Sequence, residues 1–122
     1  MIKKSNINHK FKAKKCELDG IKFPSKLERD CYRVLCSLKE KGVILFFLRQ
    51  ASFDLPGGFM HKVDFQVFTQ GNVLFIEAKG KDLAMGKMKR EQVEDLYNIK
   101  IHIAKSSFDI IQIIGKEGEN AA

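Results

Sequence analysis

The chain has 122 residues, of which 44% are hydrophobic and 30% charged, a balance typical of one globular domain and not of a fibrous or disordered chain. No apolar run reaches the roughly 20 residues that span a bilayer, and no apolar stretch follows the basic N-terminus to make it a secretory signal, so no membrane partner is expected. Lys and Arg outnumber Asp and Glu by 22 to 15, which suits a nucleic-acid partner but also fits a merely basic soluble protein.

The N-terminal segment, residues 1–15, is rich in lysine and is predicted to be a flexible arm. Residues 16–122 are predicted to form a single domain. A basic arm is either a solvated tail or a segment that follows DNA phosphates without sequence choice. The candidates for such contacts are Lys12, Lys14 and Lys15.

The cysteines Cys16, Cys31 and Cys36 are odd in number and lack the spacing of a zinc site or a disulfide framework. They indicate reduced thiols, and therefore a cytoplasmic location.

The first predicted element is a short hairpin at Asp19-Gly20, a dipeptide typical of a type I′ turn. A helix then begins after Ser25, its expected N-cap, and ends at Gly42. Apolar residues recur along this helix at helical spacing, which predicts that they face the core. These residues are Leu27, Cys31, Val34, Leu35 and Leu38.

The rest of the chain alternates between strand and helix signals. The predicted elements are strands at 43–55, 60–69 and 72–79, a helix at 82–96 capped by Asp82, a strand at 99–104 and a short closing helix capped by Ser106 or Ser107. The order is therefore helix, three-stranded meander, helix, strand and helix. It predicts an α/β domain with a central mixed sheet flanked by helices.

Three charged residues stand out in the hairpin VDFQVFTQGNVLFIEAKG. A loop at Gln70-Gly71 would place Asp64 opposite Glu77, whereas a loop at Gly71-Asn72 would place Asp64 opposite Lys79. Side chains alternate with period two, so both registers put all three on one face, although a three-residue bulged loop would break this parity. The opposite face is then apolar, formed by Val63, Phe65, Val67, Leu74, Ile76 and Ala78.

Two carboxylates on neighbouring strands repel each other unless a cation lies between them. Lys79 alone could neutralise them on an exposed face. A divalent cation explains them better, because Asp64 and Glu77, with the backbone carbonyl of Ala78, offer the oxygen ligands that Mg²⁺ binds. Mn²⁺ is expected to substitute. The chemistry predicted is phosphodiester hydrolysis, in which Lys79 orients or deprotonates the water or stabilises charge on the phosphate.

Asp64, followed after twelve residues by Glu77-Ala78-Lys79, resembles the D…ExK signature of the PD-(D/E)xK nuclease superfamily. Val63 stands at the proline position of that motif, a departure that leaves the metal ligands in place. The order helix, meander, helix, strand also resembles the superfamily's core. Over about residues 16–105, the segments FPSKLERDCYRVL, LRQASFDL, KVDFQVF and IEAKGK resemble small phage-encoded endonucleases related to Holliday junction resolvases, enzymes of DNA recombination.

The resemblance implies a restriction-endonuclease-like core and two further site residues. In such resolvases a glutamate on the first helix completes the metal site, which implies Glu28 here. The alternative for Glu28 is a capping box with Ser25, in which the glutamate bonds back to the N-cap backbone. Gln50 matches a position where related nucleases place a glutamine near the active site. Its alternative is a polar residue at a strand kink.

Several basic residues after the ExK strand are candidates for DNA phosphate contacts, unless they only form a solvated helix face. They are Lys81, Lys87, Lys89 and Arg90. His61 is left out of the site, because it lies three residues from Asp64 and should point to the opposite side of a regular strand.

These observations predict a Mg²⁺-dependent, structure-selective DNA endonuclease whose preferred substrate is the Holliday junction. The alternatives are a restriction-like or transposase-like nuclease that cuts duplex DNA, and a catalytically silent nucleic-acid-binding module. Two opposed nicks at a junction need two sites, so a homodimer is expected. The apolar runs 44–48 and 108–114 offer an interface, unless both are simply core.

Overall fold

The computed structural model describes residues 16–121. Its elements, in chain order, are β1 (Cys16–Leu18), β2 (Ile21–Phe23), α1 (Lys26–Glu40), β3 (Phe46–Leu55), β4 (Phe59–Phe68), β5 (Val73–Ala78), α2 (Ala84–Tyr97), β6 (Ile101–Ala104) and α3 (Ser107–Ala121). The predicted α/β class and the predicted order of elements are confirmed. Among these helices none has both the length and the apolar character to cross a membrane. The arm predicted at residues 1–15, with Lys12, Lys14 and Lys15, lies outside the described residues.

Local sequence signals account for the first elements. Asp19 and Gly20 both have positive φ angles, 55° and 76°, which the type I′ turn between β1 and β2 requires. The hydroxyl of Ser25 accepts the backbone N–H of Glu28 at 3.1 Å and so caps α1 as predicted. The hydrophobic stripe of α1 faces the core, where Cys31 is fully buried.

The main sheet has the order β3-β4-β5-β6. The first three strands are antiparallel, and β6 runs parallel to β5. On one face, α1 and α3 pack over the larger core cluster, in which Phe65 and Ile76 are fully buried. On the other face, α2 packs through Val93 over a smaller cluster. The result is a mixed four-stranded sheet flanked by helices on both faces.

The β3–β4 hairpin changes faces halfway along its length. Phe65 belongs to the larger cluster, whereas Val63, two residues earlier, belongs to the smaller cluster on the opposite face. The prediction that both lie on one face is therefore wrong for Val63. The break falls at Gln50, which lies opposite Asp64 in the register and has a left-handed φ of 57°. Such a residue turns the strand about its axis and redirects the side chains beyond it.

Two further expectations need correction. Asp82 does not cap α2, which begins after Leu83 without a side-chain capping bond; the Asp82 carboxylate binds the guanidinium of Arg90 instead. The segment before β3 is not extended, because the chain bends there while Ile44 packs into the core.

The three cysteines are free, as predicted, but their surroundings differ. Cys16 and Cys36 are half-buried, whereas Cys31 is fully enclosed by the larger cluster. Burial raises the pKa of the Cys31 thiol to about 12, with nearby acids adding to the effect.

Candidate active site

The candidate site lies where β4 and β5 separate. Their register is the one predicted for a Gln70-Gly71 loop, and its continuation would place Asp64 opposite Glu77. The ladder ends one pair earlier, at Phe65 and Ile76, while β5 continues beside β6. The sheet therefore forks at the two acids that the sequence singles out.

Asp64 lies in this fork. Its Oδ2 accepts the backbone N–H of Ala78 at 2.9 Å, so the carboxylate satisfies a strand donor that has lost its ladder partner. Burial, together with the charges of Glu28 and Glu77, raises the pKa of Asp64 to about 6, although the Ala78 N–H and Lys79 oppose that rise. The ionised form of Asp64 is thus destabilised and would gain from a bound cation.

Glu28 reaches the fork from α1, and the residue is 4% exposed. Its Oε2 accepts hydrogen bonds from Nε2 of Gln50 at 3.1 Å and from Nη2 of Arg49 at 3.3 Å. Within the described residues, the Ser25 N–H makes no bond back to this carboxylate, so only the serine half of the capping box forms. Burial raises the pKa of Glu28, and the neighbouring Arg49, Gln50 and Lys79 oppose that rise.

Gln50 is both the strand kink and the neighbour of an acid. Its left-handed backbone is unusual for a residue that is not glycine, and such strained positions cluster at functional sites. Its side chain donates to Glu28. The adjacent Arg49 stacks its guanidinium 4.6 Å above the ring of Phe23, which fixes the arginine beside the same carboxylate.

Glu77 lies on the face that α2 covers, and it is 1% exposed. Its Oε2 contacts Nε2 of His61, and Nη1 of Arg90 lies 3.7 Å from its Oε1. Asp82 holds the Arg90 guanidinium through two bonds of 3.2 and 2.6 Å. Oε1 of Glu77 is buried without a hydrogen-bond partner, which leaves one strong acceptor unsatisfied.

His61 is the residue that the sequence reasoning missed. The expectation that it points away from the acids fails because the hairpin changes faces between Val63 and Phe65. A signal was present in the sequence. Every second residue of β4 from Phe59 to Val67 is apolar except His61, and a histidine in such a series needs a polar partner when buried. Glu77 supplies that partner.

The predicted basic residues separate into two groups. Lys79 is partly exposed, and its charge opposes the rise that burial causes in the pKa of both Glu28 and Asp64. Lys81 and Lys87 are exposed and Lys89 is half-buried. Arg90, in contrast, is buried and turned towards Asp82 and Glu77, so its predicted place at the DNA surface is corrected. It serves as a counterion to the acids.

Residues 16–117, whose side chains the structure describes, contain no group of three or more His, Cys, Asp or Glu side chains already gathered around one point. Each of the three acids is engaged by protein groups instead. Two observations nevertheless indicate that the carboxylate oxygens of these acids fit a hard cation. Oε1 of Glu77 is buried without a hydrogen-bond partner, and the pKa of Asp64 is raised by burial and by two other carboxylates. A divalent cation relieves both conditions.

The chain was compared with known proteins. A family model described as "Protein of unknown function (DUF1064)" matches residues 8–110. No curated protein and no solved structure matches the chain. The matched range includes every acid of the fork and the side chains that hold them.

Proposed function

The chain belongs to the DUF1064 family, whose description assigns no function, and we propose that it is a metal-dependent, structure-selective DNA endonuclease with a restriction-endonuclease-like core and the four-way Holliday junction as its first substrate. The observation that supports this most is the fork in the sheet. It brings Asp64 close enough to Glu28 and Glu77 for both to raise its pKa, with Lys79 as the nearby cation. Two buried acids, Glu28 and Glu77, that destabilise the charge of a third, half-buried acid need a function to explain them.

In this proposal Asp64 and Glu77, with the carbonyl of Ala78 and with Glu28, hold Mg²⁺ or Mn²⁺. When bound, the metal supplies an acidified water and offsets charge on the phosphate. Lys79 orients that water or stabilises the developing charge on the phosphoryl oxygens.

The remaining polar residues position the acids. Arg49 and Gln50 fix the carboxylate of Glu28, and His61 and Arg90 fix that of Glu77. Charged groups held in this way keep their geometry without reorganising during the reaction, which is how fixed dipoles and charges contribute to rate.

The DNA partner is supported by charge. The formal net charge of +7 favours a polyanion, and Lys81 and Lys87 are exposed just beyond the Glu77 strand. Lysine contacts to phosphates fix the position of a nuclease on DNA without reading sequence. The proposed selectivity is therefore for the shape of the DNA and not for its sequence.

A homodimer would provide the two sites that opposed nicks require. The two apolar runs are divided between core and surface. Ile44 and Ile110 are buried, whereas Phe46, Leu48 and Phe108 are exposed. We assign the exposed members to contact with a second copy, which sedimentation of the DNA-free protein should reveal as a mass near twice 14.0 kDa.

The decisive experiment compares Mg²⁺-dependent nicking of a four-way junction with nicking of linear duplex of the same sequence, with an Asp64→Asn variant as the blank. Paired nicks in the junction alone support the proposal. Equal cleavage of the duplex would favour the restriction-like alternative. Tight junction binding with no cleavage in either Mg²⁺ or Mn²⁺ would favour the silent binding module.

A further inference from the structure

A second surface lies at the turn between β3 and β4. There a groove of about 430 Å³ opens between the hairpin tip and α2. Its walls include the apolar side chains of Leu55, Phe59, Met85 and Met88, and Lys89 lies among them. We refer to it as the tip groove. Met85 is 62% exposed and Met88 is 50% exposed, so the apolar surface of the groove is open to solvent.

Phe59 is the largest exposed apolar side chain of this groove, at 63% exposure. Its ring packs directly on the turn, because a Cβ atom added to Gly57 would lie 3.3 Å from two of its ring carbons. Gly57 and Gly58 have φ angles of 84° and 82°, a conformation that other residues rarely adopt. The turn therefore presents an aromatic ring to solvent in a fixed position.

The tip groove is next to the candidate active site. Phe59 and His61 lie on the same side of β4, about 7 Å apart along the strand, and His61 contacts Glu77. On α2, Lys89 lines the groove while its neighbour Arg90 reaches Glu77. The same strand and the same helix thus connect the groove to the acids.

Charge identifies the kind of partner. No carboxylate is among the side chains that line the tip groove, and the first half of α2, from Ala84 to Arg90, carries basic residues and no acid. A second copy of the chain would bring the same positive charges to this surface and be repelled. A polyanion with apolar, flat groups between its charges is attracted to it.

We propose that the tip groove binds an unstacked nucleobase of branched or single-stranded DNA, with Phe59 as the stacking surface and Lys89 beside the adjoining phosphate. The inference rests on the proposed function only in taking DNA as the partner. Bases stack on exposed aromatic rings with little sequence preference. Methionine side chains adapt to differently shaped partners. Bases at a branch or in a single strand cost least to unstack, so the groove favours branched over linear DNA.

The test measures binding in EDTA, without cleavage, to a four-way junction and to linear duplex of the same sequence. Phe59→Ala should weaken junction binding at least about tenfold and leave duplex binding within about twofold. Phe59→Tyr should retain junction binding, because the ring is kept. Lys89→Ala should make the slope of log K for junction binding against log salt concentration less steep by about one, as expected for the loss of one phosphate contact.

The matched control is Leu96→Ala, which removes a side chain of similar exposure (55%) from the far end of the same helix. It should bind the junction like the wild type. Equal losses in Phe59→Ala and Leu96→Ala would overturn the inference. So would a change from dimer to monomer in Phe59→Ala during sedimentation, because a second copy would then be the occupant.

The outcomes also separate this inference from the proposed function. A wild-type protein that binds junctions through Phe59 but never cleaves them supports the tip groove and refutes the endonuclease. If the wild type cleaves junctions and Phe59→Ala binds them as tightly as the wild type, the tip groove alone is refuted. A protein that binds no DNA refutes both.

Discussion

The two halves of the β4–β5 pair differ in a way that separates stability from function. In the closed half the strands are hydrogen-bonded, and Phe65, Val67 and Ile76 are fully buried in an apolar cluster. In the forked half, one residue pair further, Asp64 and Glu77 carry charge into the protein interior. Burying charge lowers stability unless every group is compensated. The closed half thus holds the fold together, and the forked half is retained at a cost in stability.

The largest effect is expected from the forked half. Asp64→Asn should reduce cleavage on the order of 10³-fold, because it removes a proposed metal ligand and the charge compensation that goes with it. Junction binding should be kept or become tighter, since a negative charge near the phosphates is lost. Single-turnover cleavage and gel-shift titration measure the two effects. Wild-type turnover in Asp64→Asn would refute the assignment of the fork as the active site.

The closed half should show the opposite behaviour. Phe65→Ala should lower the free energy of unfolding by about 3 to 5 kcal/mol, the usual cost of a large cavity in a core. Urea denaturation measures this, and the folded fraction should still cleave. Leu96→Ala is the control, because that side chain is 55% exposed and its removal should change stability by no more than about 0.5 kcal/mol. A greater loss in Leu96→Ala than in Phe65→Ala would contradict the division.

The pH dependence of stability should reveal the cost of the fork. The folded-state pKa of Asp64 is about 6, above its ordinary value of 3.8, so the folded chain binds a proton that the unfolded chain releases. This contribution is full below about pH 4 and is lost as the pH rises through 6. Between pH 8 and pH 5, Asp64 should add on the order of 1 kcal/mol to the free energy of unfolding in EDTA.

Asp64→Asn provides the comparison for that measurement. The variant has no proton to bind at this position, so its stability should rise less than that of the wild type over the same pH range. Parallel curves for the two proteins would show that Asp64 is not the group responsible.

The smallest effect concerns the start of α1, where two neighbouring roles can be separated. Ser25→Ala should cost about 1 kcal/mol of stability, because the N-cap bond to Glu28 N–H is lost, and should leave cleavage intact. Glu28→Gln should spare the cap but slow cleavage. Thermal unfolding and cleavage rates of both variants test this. Normal cleavage in Glu28→Gln would assign Glu28 to the helix alone.

Local signals in the sequence were sufficient for much of the fold. The Asp19-Gly20 turn, the Ser25 cap and the stripe of α1 depend on neighbouring residues, and each was predictable. The hairpin register was predictable only to two alternatives of the same parity, and the structure has the one with the Gln70-Gly71 loop. These features set the position of Asp64 relative to Glu77.

The fork itself was not predictable, because it depends on distant parts of the chain. The left-handed Gln50 breaks the alternation of the adjacent β4, so His61 and Val63 change faces. The residues around His61 indicate a buried histidine with a polar partner, but they do not indicate the face to which it points. Arg90 was assigned to the surface because its neighbours on α2 are basic, but its ion pairs with Glu77 and Asp82 hold it inward. Tertiary pairing of buried charge overrides local composition.

The burial of Cys31 makes this thiol a reporter of conformational opening. A thiolate is the species that reacts with alkylating reagents, and a pKa of about 12 in a fully enclosed site leaves almost none. Cys16 and Cys36 are half-buried and label from the native surface. Cys31 should therefore be labelled last and slowly. The rate of that step measures the separation of α1 from the sheet, without any added dye or substitution.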